Sequence, residues 1–531
     1  MKNRRGIVPR KIKGFRDIDP SLNQLRWTIV DGARKVYEAY GFEHWDTPVL
    51  EYADALGKYM AGEGNFTEGE VAGGVYSFRN PELEPVYDQE GNELRDQKFD
   101  KVIYENQFVA LRYDLTAPLA RLYAEQLWQD KLKGLVKTEK SPLFRRYQFG
   151  PVFRFEAKLD PGRFREFWQL DFDTVGTSDM AADAEVCMVT ADAMEAIGLK
   201  RGNYIVKVND RKVLKGFLKN LGVHDEETET NILRVVDKVD KIGLDGLKEE
   251  LEKVGSDPSG KVIEGLGLDP SWIESIVDFF KRFGTRENRK SILEKLSDLT
   301  NENPILAEGV EELREIDTVL SGMGYDEERV IFDPTLVRGM SYYTGPVFEV
   351  DSKQTYKDEK GTIRKVGSIC GGGRYDDLVK NLLGIKVPAT GLSIGVDRIA
   401  ELLQLAGQSS TQTLGPVLIA VFDNNLMPEY QKIAAELRTA DICAEVYYGF
   451  QRGLNKQLAY ADKKNCPVAI LLGGDEMEKG VVTVRDLKMG KDIASDFSDK
   501  AEWQKTSQFE VKREDLVKKV KELIKPHDQN F

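Results

Sequence analysis

Residues 141–173 read SPLFRRYQFGPVFRFEAKLDPGRFREFWQLDFD. Two aromatic-rich arms face each other across AKLDPG, and apolar and polar residues alternate along each arm. A period of two marks a strand and the proline-glycine pair marks a turn, so the stretch predicts a long antiparallel hairpin. Within residues 153–167, three arginines and two glutamates sit among phenylalanines. Each arginine alone would read as solvated surface. Arg154, however, lies inside the apolar run PVFRFE and shares a face with Val152 and Glu156, where an unpaired charge is expensive. A bound anion removes that cost, because guanidinium forks match phosphate oxygens through parallel N–H bonds. The hairpin thus predicts a nucleotide phosphate site built on a sheet.

Other nucleotide motifs fail. There is no G-x-x-x-x-G-K-[ST]. The run ICGGGRYDDL has three consecutive glycines, but the dinucleotide spacing is missing, so close backbone approach of a ligand is the better reading.

The 531 residues are 41% hydrophobic and 31% charged, enough for a soluble protein of two to four domains. No long apolar run or secretory signal is seen, which points to the cytoplasm and to no membrane partner. Cys187, Cys370, Cys443 and Cys466 are scattered, as are His44, His224 and His527. No metal site made of side chains and no histidine-dependent nucleophile is expected. A net charge of −13 disfavours indiscriminate nucleic-acid binding and DNA as a partner, so any RNA must be met by local cationic patches. The basic first 14 residues are one such patch, though a solvated tail is the simpler reading.

Outward from the hairpin, SLNQLRWTIVDGARKVYEAYGF carries apolar residues at helical spacing and stops near Gly41. NYIVKVND reads as a strand, after which residues 212–327 turn Lys-, Glu- and Leu-rich with helical periodicity. RVIFD, YYTGPVFEV and RKVGSI bring strands back, and GLSIGVDRIAELLQL is a strand turning directly into a helix. Beyond the polar linker AGQSSTQTLGP, alternating β and α segments imply a small α/β domain. The expected organisation is a core over 1–211 and 328–405, a helical insertion at 212–327, a linker at 406–416 and a last domain at 417–531.

These residues also resemble a known family. The hairpin is similar to motif 2 of class II aminoacyl-tRNA synthetases, GLSIGVDRI to motif 3, and GFEHWDTPVLE to motif 1. LVRGMSYYTGPVFEV and GGGRYDDLV resemble the two signature peptides of histidyl-tRNA synthetases, and the final 115 or so residues resemble their anticodon-binding domain. The resemblance implies an α+β class II core with a mixed, mostly antiparallel sheet and flanking helices, a helical insertion and a C-terminal α/β anticodon-binding domain. It implies a ligase that activates L-histidine with ATP and Mg²⁺ and charges histidine tRNA, working as a homodimer. Arg154, Glu156, Arg163 and Arg398 would bind ATP. Asp114, Thr116, Gln169, Asp173, Tyr342, Tyr343 and Tyr375 would bind histidine. Arg338, between carboxylate and α-phosphate, would join Arg154 in catalysis. A pocket of buried acceptors rejects amino acids lacking two ring nitrogens, so no editing domain is required.

Three departures from the family pattern stand out. Ser341 replaces an acidic residue, Asp114 and Asp173 replace the glutamates of many bacterial members, and AKLDPG differs from the common tRNA-facing loop, leaving recognition of the extra 5′ guanosine open. The rivals are a histidine-sensing regulatory paralogue without ligase activity, a class II synthetase for threonine, proline or glycine, and a plain RNA-binding scaffold.

Overall fold

The computed structural model describes residues 9–53, 55, 74–82, 84–85, 93, 95, 104–105, 108–133, 141–156, 163–252, 254–256, 262–264, 266–300, 303–338, 342–357, 363–405, 414–450, 453–487 and 507–524. The AKLDPG loop and Ser341 lie outside them. The chain forms two compact units, Met1–Gln408 and Ser409–Phe531.

The first unit is built on an eight-stranded sheet. Its strands are β1 (Glu43–His44), β2 (Phe144–Phe153), β3 (Glu166–Val175), β4 (Tyr204–Asp210), β5 (Val330–Phe332), β6 (Pro346–Lys357), β7 (Ile363–Arg374) and β8 (Ala389–Gly395), in the order β1-β2-β3-β8-β7-β6-β4-β5. Only the two edge pairs, β1 with β2 and β5 with β4, run parallel. The expected hairpin is present as β2 and β3, paired from Phe144–Val175 to Phe153–Glu166. Alternation then does its work. Leu170 and Phe172 of β3 point into the main core, where the helix Pro20–Ala39 lays Tyr37 against Phe172 at 4.7 Å between ring centroids. Gln169, Asp171 and Asp173 point to the opposite face.

The Pro20–Ala39 helix starts where Asp19 accepts a hydrogen bond from the Leu22 N–H at 2.9 Å, and proline occupies the first turn. Gly41, at φ +81°, lets the chain turn back toward β1. Helices between Arg211 and Gly322 bury Ile232, Ile276, Phe280 and Leu296 in a hydrophobic cluster continuous with the sheet core. No helix among the described residues is long and apolar enough to cross a membrane.

The second unit has strands β9 (Val417–Ile419), β10 (Ala444–Val446), β11 (Val468–Leu471), β12 (Val481–Asp486) and β13 (Gln508–Lys512), in the order β10-β9-β11-β12-β13. β9, β10 and β11 are parallel, and β12 and β13 add antiparallel strands. The buried Gln457 amide closes a two-bond pair with Val421, donating to its carbonyl at 2.8 Å and accepting from its N–H at 2.9 Å. One helix is thereby pinned to the end of a strand.

Candidate active site

Strand register assembles one polar face in the first unit. Asp173 on β3 lies opposite Arg146 on β2 and Gly391 on β8. Asp171 lies opposite Gln148 and Ser393, and Gln169 opposite Gly395. Farther across, Gly391 faces Gly373 and Ser393 faces Gly371 on β7, while Glu349 on β6 faces Gly371. The glycines are needed for space. A Cβ on Gly371 would stand 2.1 Å from Nη2 of Arg338, one on Gly373 2.7 Å from the Tyr343 ring, and one on Gly391 2.1 Å from Oδ1 of Asp173. The glycine run was read as room for a ligand; in the structure its room is taken by side chains named as ligand-binding.

At one end the groups are deeply buried. Asp173 accepts from the Tyr375 hydroxyl at 2.5 Å and stands 3.1 Å from Nη2 of Arg146, whose side chain is 1% exposed. Arg146 also donates to the Leu115 carbonyl at 2.7 Å. Burial raises the pKa of Asp173, against the pull of Arg146 and Tyr375. Beside it, burial first and the Asp173 charge second push Asp171 up to about 8. Gln169 donates to the Ser393 hydroxyl at 2.6 Å. Among the described residues, buried polar atoms left without a hydrogen-bond partner include Oε1 of Gln169, Oδ1 of Asp171 and Nε of Arg338. Such atoms are costly unless something else meets them. Tyr342 packs on Tyr343 at 4.7 Å and edge-on to Tyr375 at 6.2 Å, so three aromatic walls flank this polar patch.

Asp114 belongs to the same site: its charge raises the pKa of Tyr342, after burial and Tyr343, and that of Asp173. It has a structural task as well. Its Oδ1 accepts from the N–H groups of Thr116 and Ala117 at 3.1 and 3.0 Å, capping the helix Thr116–Leu132. Thr116, expected as a ligand, is therefore also the first helical residue.

At the other end lie the arginines. Arg154 donates through Nε to the Tyr113 carbonyl at 3.0 Å, and its guanidinium lies 4.3 Å from the Tyr113 ring centroid and 5.2 Å from that of Phe167. Arg163, 38% exposed, has Glu156 at 3.9 Å, so these two sequence-predicted residues come together. Arg398 donates to the Ser368 carbonyl at 2.5 Å. Burial, and then the nearby Arg163 cation, lower its pKa. Arg338 pairs with Glu349 at 2.6 Å, and despite burial its guanidinium is held more firmly protonated by Tyr343 and Glu349. Backbone carbonyls aim the Arg154 and Arg398 forks without neutralising them, so this end of the site is cationic.

A profile of the family described as Histidyl-tRNA synthetase matches residues 82–399, and one described as Anticodon binding domain matches residues 416–523. The Histidine--tRNA ligase of Ruegeria pomeroyi is 41% identical over 513 residues, covering 96% of this chain and 96% of that protein. The chain belongs to the histidyl-tRNA synthetase family. The Histidine--tRNA ligase of Paracoccus denitrificans is likewise 41% identical, with 96% and 97% covered. The crystal structure of histidyl-tRNA synthetase from Nostoc sp. PCC 7120 superposes with a TM-score of 0.67 at 28% identity, covering 97% of this chain and all of that one. The α+β reading with a C-terminal anticodon-binding domain stands. So does the reading as a ligase that forms aminoacyl-tRNA, and the regulatory alternative is not favoured.

For a histidyl-tRNA synthetase, the residues that sequence reasoning passed over are instructive. Arg146, Asp171 and Glu349 all sit on the polar face and contact or perturb residues that were named. Asp171 was findable, because QLDFD alternates Gln169, Asp171 and Asp173 onto one side. Arg146 was not, since a charge fully buried beneath a pocket looks on paper like any arginine in a strand.

Proposed function

We propose that this site joins histidine to the α-phosphate of ATP and then passes the histidyl group to the 3′ end of histidine tRNA. The observation that carries the reading is the pair of orphaned buried oxygens on Gln169 and Asp171, beside Asp173 and with Arg338 on the glycine floor. An imidazole offers two polar nitrogens to such acceptors, with Asp173 and Tyr343 as its partners and Tyr342 and Tyr375 as walls. Asp114, Thr116 and Gln169 hold the α-amino group. A histidine carboxylate oxygen attacks the α-phosphorus and pyrophosphate leaves with the bonding electron pair of the broken P–O bond. Arg338 lies between the reacting groups, aligning them and offsetting the charge that develops. Arg154 holds the α-phosphate, Glu156 the adenine amino group, Arg163 the γ-phosphate, and Arg398 packs on the nucleotide. Mg²⁺ would come as part of the ATP substrate, offsetting phosphate charge beside Arg163.

In the second step a terminal ribose hydroxyl of the tRNA attacks the adenylate carbonyl and AMP leaves. The C-terminal unit takes the anticodon. Two copies work as a homodimer, to which the exposed Val49 and Leu50 of the first motif and Tyr52 just after it contribute apolar surface.

The test is ATP–pyrophosphate exchange on the purified chain with Mg²⁺ and each of the twenty amino acids in turn. Exchange with histidine alone is expected, and Arg338→Ala is expected to lower it on the order of 10³-fold with the fold intact. Exchange with another amino acid, or near-normal exchange in Arg338→Ala, would refute the assignment.

A further inference from the structure

The arginine end of the site depends on residues beyond the strands that carry it. β2 ends at Phe153 and β3 begins at Glu166, so Arg154, Glu156 and Arg163 sit past the regular ladder. Among the described residues one backbone bond, from the Arg154 N–H to the Arg165 carbonyl at 3.0 Å, continues it. The Arg165 N–H turns instead to the Gly14 carbonyl at 2.9 Å, and its guanidinium reaches the Lys13 carbonyl at 3.3 Å. The segment before the first helix thus lies beside the hairpin as a further pairing partner. Gly14 is suited to that place: its φ is +88°, and a Cβ there would fall 2.6 Å from the Arg165 side chain.

The next residues tighten the junction. Phe15 meets Tyr76 at 6.0 Å and Tyr76 meets Phe155 at 5.9 Å between centroids. The Arg16 guanidinium lies 3.4 Å from the centre of the Phe164 ring. It also pairs with Asp397 at 2.6 Å and Glu401 at 3.1 Å. Asp397, almost fully buried, accepts from Nη2 of Arg26 at 2.5 Å and from the Trp168 N–H at 2.6 Å. Phe155, Phe164, Trp168 and Asp397 each adjoin a proposed substrate-binding residue: Arg154 and Glu156, Arg163, Gln169, and Arg398.

We infer that residues 13–16 form a strap that sets the geometry of the ATP site, with Arg16 as its positioning residue. This rests on the activation reading above. The strap has a physical task there, because the Arg163 cation bears on Arg398, and past the regular ladder the described hairpin arms are tied by one backbone bond and by the Arg165 guanidinium on the Glu156 carbonyl at 3.1 Å, ties that residues 13–16 brace from the side. Arg16 ties Phe164 of the hairpin to Asp397 and Glu401 of the helix Val396–Leu405, fixing the spacing of the two cations.

The experiment is histidine-dependent ATP–pyrophosphate exchange on the full chain, varying ATP and histidine separately. Arg16→Ala is expected to raise KM for ATP about tenfold and KM for histidine less than about twofold. Arg16→Lys, which keeps the charge on Asp397, is expected to stay within about threefold of the parent chain for ATP. Equal rises in both KM values, no rise for ATP, or a lysine variant as impaired as the alanine one overturns the strap. Should Arg16→Ala fail to fold, Phe164→Leu removes the ring beneath the guanidinium and must show the same ATP-selective rise; an unchanged ATP KM there also overturns it. A parent chain without histidine-dependent exchange refutes the activation reading, a failure separate from that of the strap.

Discussion

The two ends of the site are built on opposite plans. At the pocket end, Asp173 already holds Tyr375 and faces Arg146, and charge is buried against countercharge. At the arginine end, the one carboxylate paired with Arg163 among the described residues, that of Glu156, is 3.9 Å away, while Arg154 and Arg398 rest on carbonyls that aim them and leave their charge intact. A selective pocket must be rigid before the substrate comes, because discrimination rests on polar groups that an impostor leaves unpaired. A phosphate clamp gains from staying uncompensated, because each neutralising partner must later be displaced by the ligand. One sheet face accommodates both plans because glycines at 371, 373 and 391 let side chains lie flat on it.

The contrast breaks most visibly at Asp173. Asp173→Ala leaves Arg146 buried without its carboxylate, so a stability loss of about 3–5 kcal/mol is expected in denaturant unfolding. Histidine selection should suffer more than ATP binding, with kcat/KM for histidine falling about 100-fold. An unchanged histidine KM would remove Asp173 from the pocket. The matching change at the other end is smaller: Arg163→Ala should raise KM for ATP about fivefold and leave stability within about 0.5 kcal/mol, because an exposed, loosely paired arginine adds little to the fold. A large stability loss there would show that the arginine end is as prebuilt as the pocket.

The same contrast explains what was legible beforehand. Arg154, Glu156, Arg163 and Asp173 stand in one hairpin whose alternation and turn are local, and the structure has that hairpin. Arg338 could be named only from its peptide, since its partner Glu349 and its seat on Gly371 come from other strands. Asp397, next to Arg398, gathers Arg16, Arg26 and the Trp168 N–H, and nothing in its local sequence marks it. Its partners lie far away in sequence, and no period of two or 3.6 reports a junction of that kind. Asp114 shows the converse: an aspartate two residues before a helical threonine is a capping signal, yet it was read only as a ligand.

The smallest effect sharpens the comparison through pH. Asp171 has an ordinary pKa of about 3.9 in an unfolded chain, but in the folded protein burial and the Asp173 charge raise it to about 8. Folding therefore takes up a proton between those values, and stability contributed at low pH is lost as pH rises from about 4 toward 8, where the slope ends. Asp171→Asn keeps the shape and cannot ionise. In the ligand-free chain the variant is expected to unfold at a higher temperature than the parent at pH 7.5 and to show a flatter dependence of Tm on pH between 5 and 8. On the proposed reading Asp171 faces the bound histidine, so the same variant should bind histidine more weakly in equilibrium dialysis. A variant with the parent's pH slope would mean that Asp171 ionises freely. The pocket end would then be less sealed than its orphaned acceptors indicate, and the division between a prebuilt pocket and an open clamp would have to be drawn elsewhere.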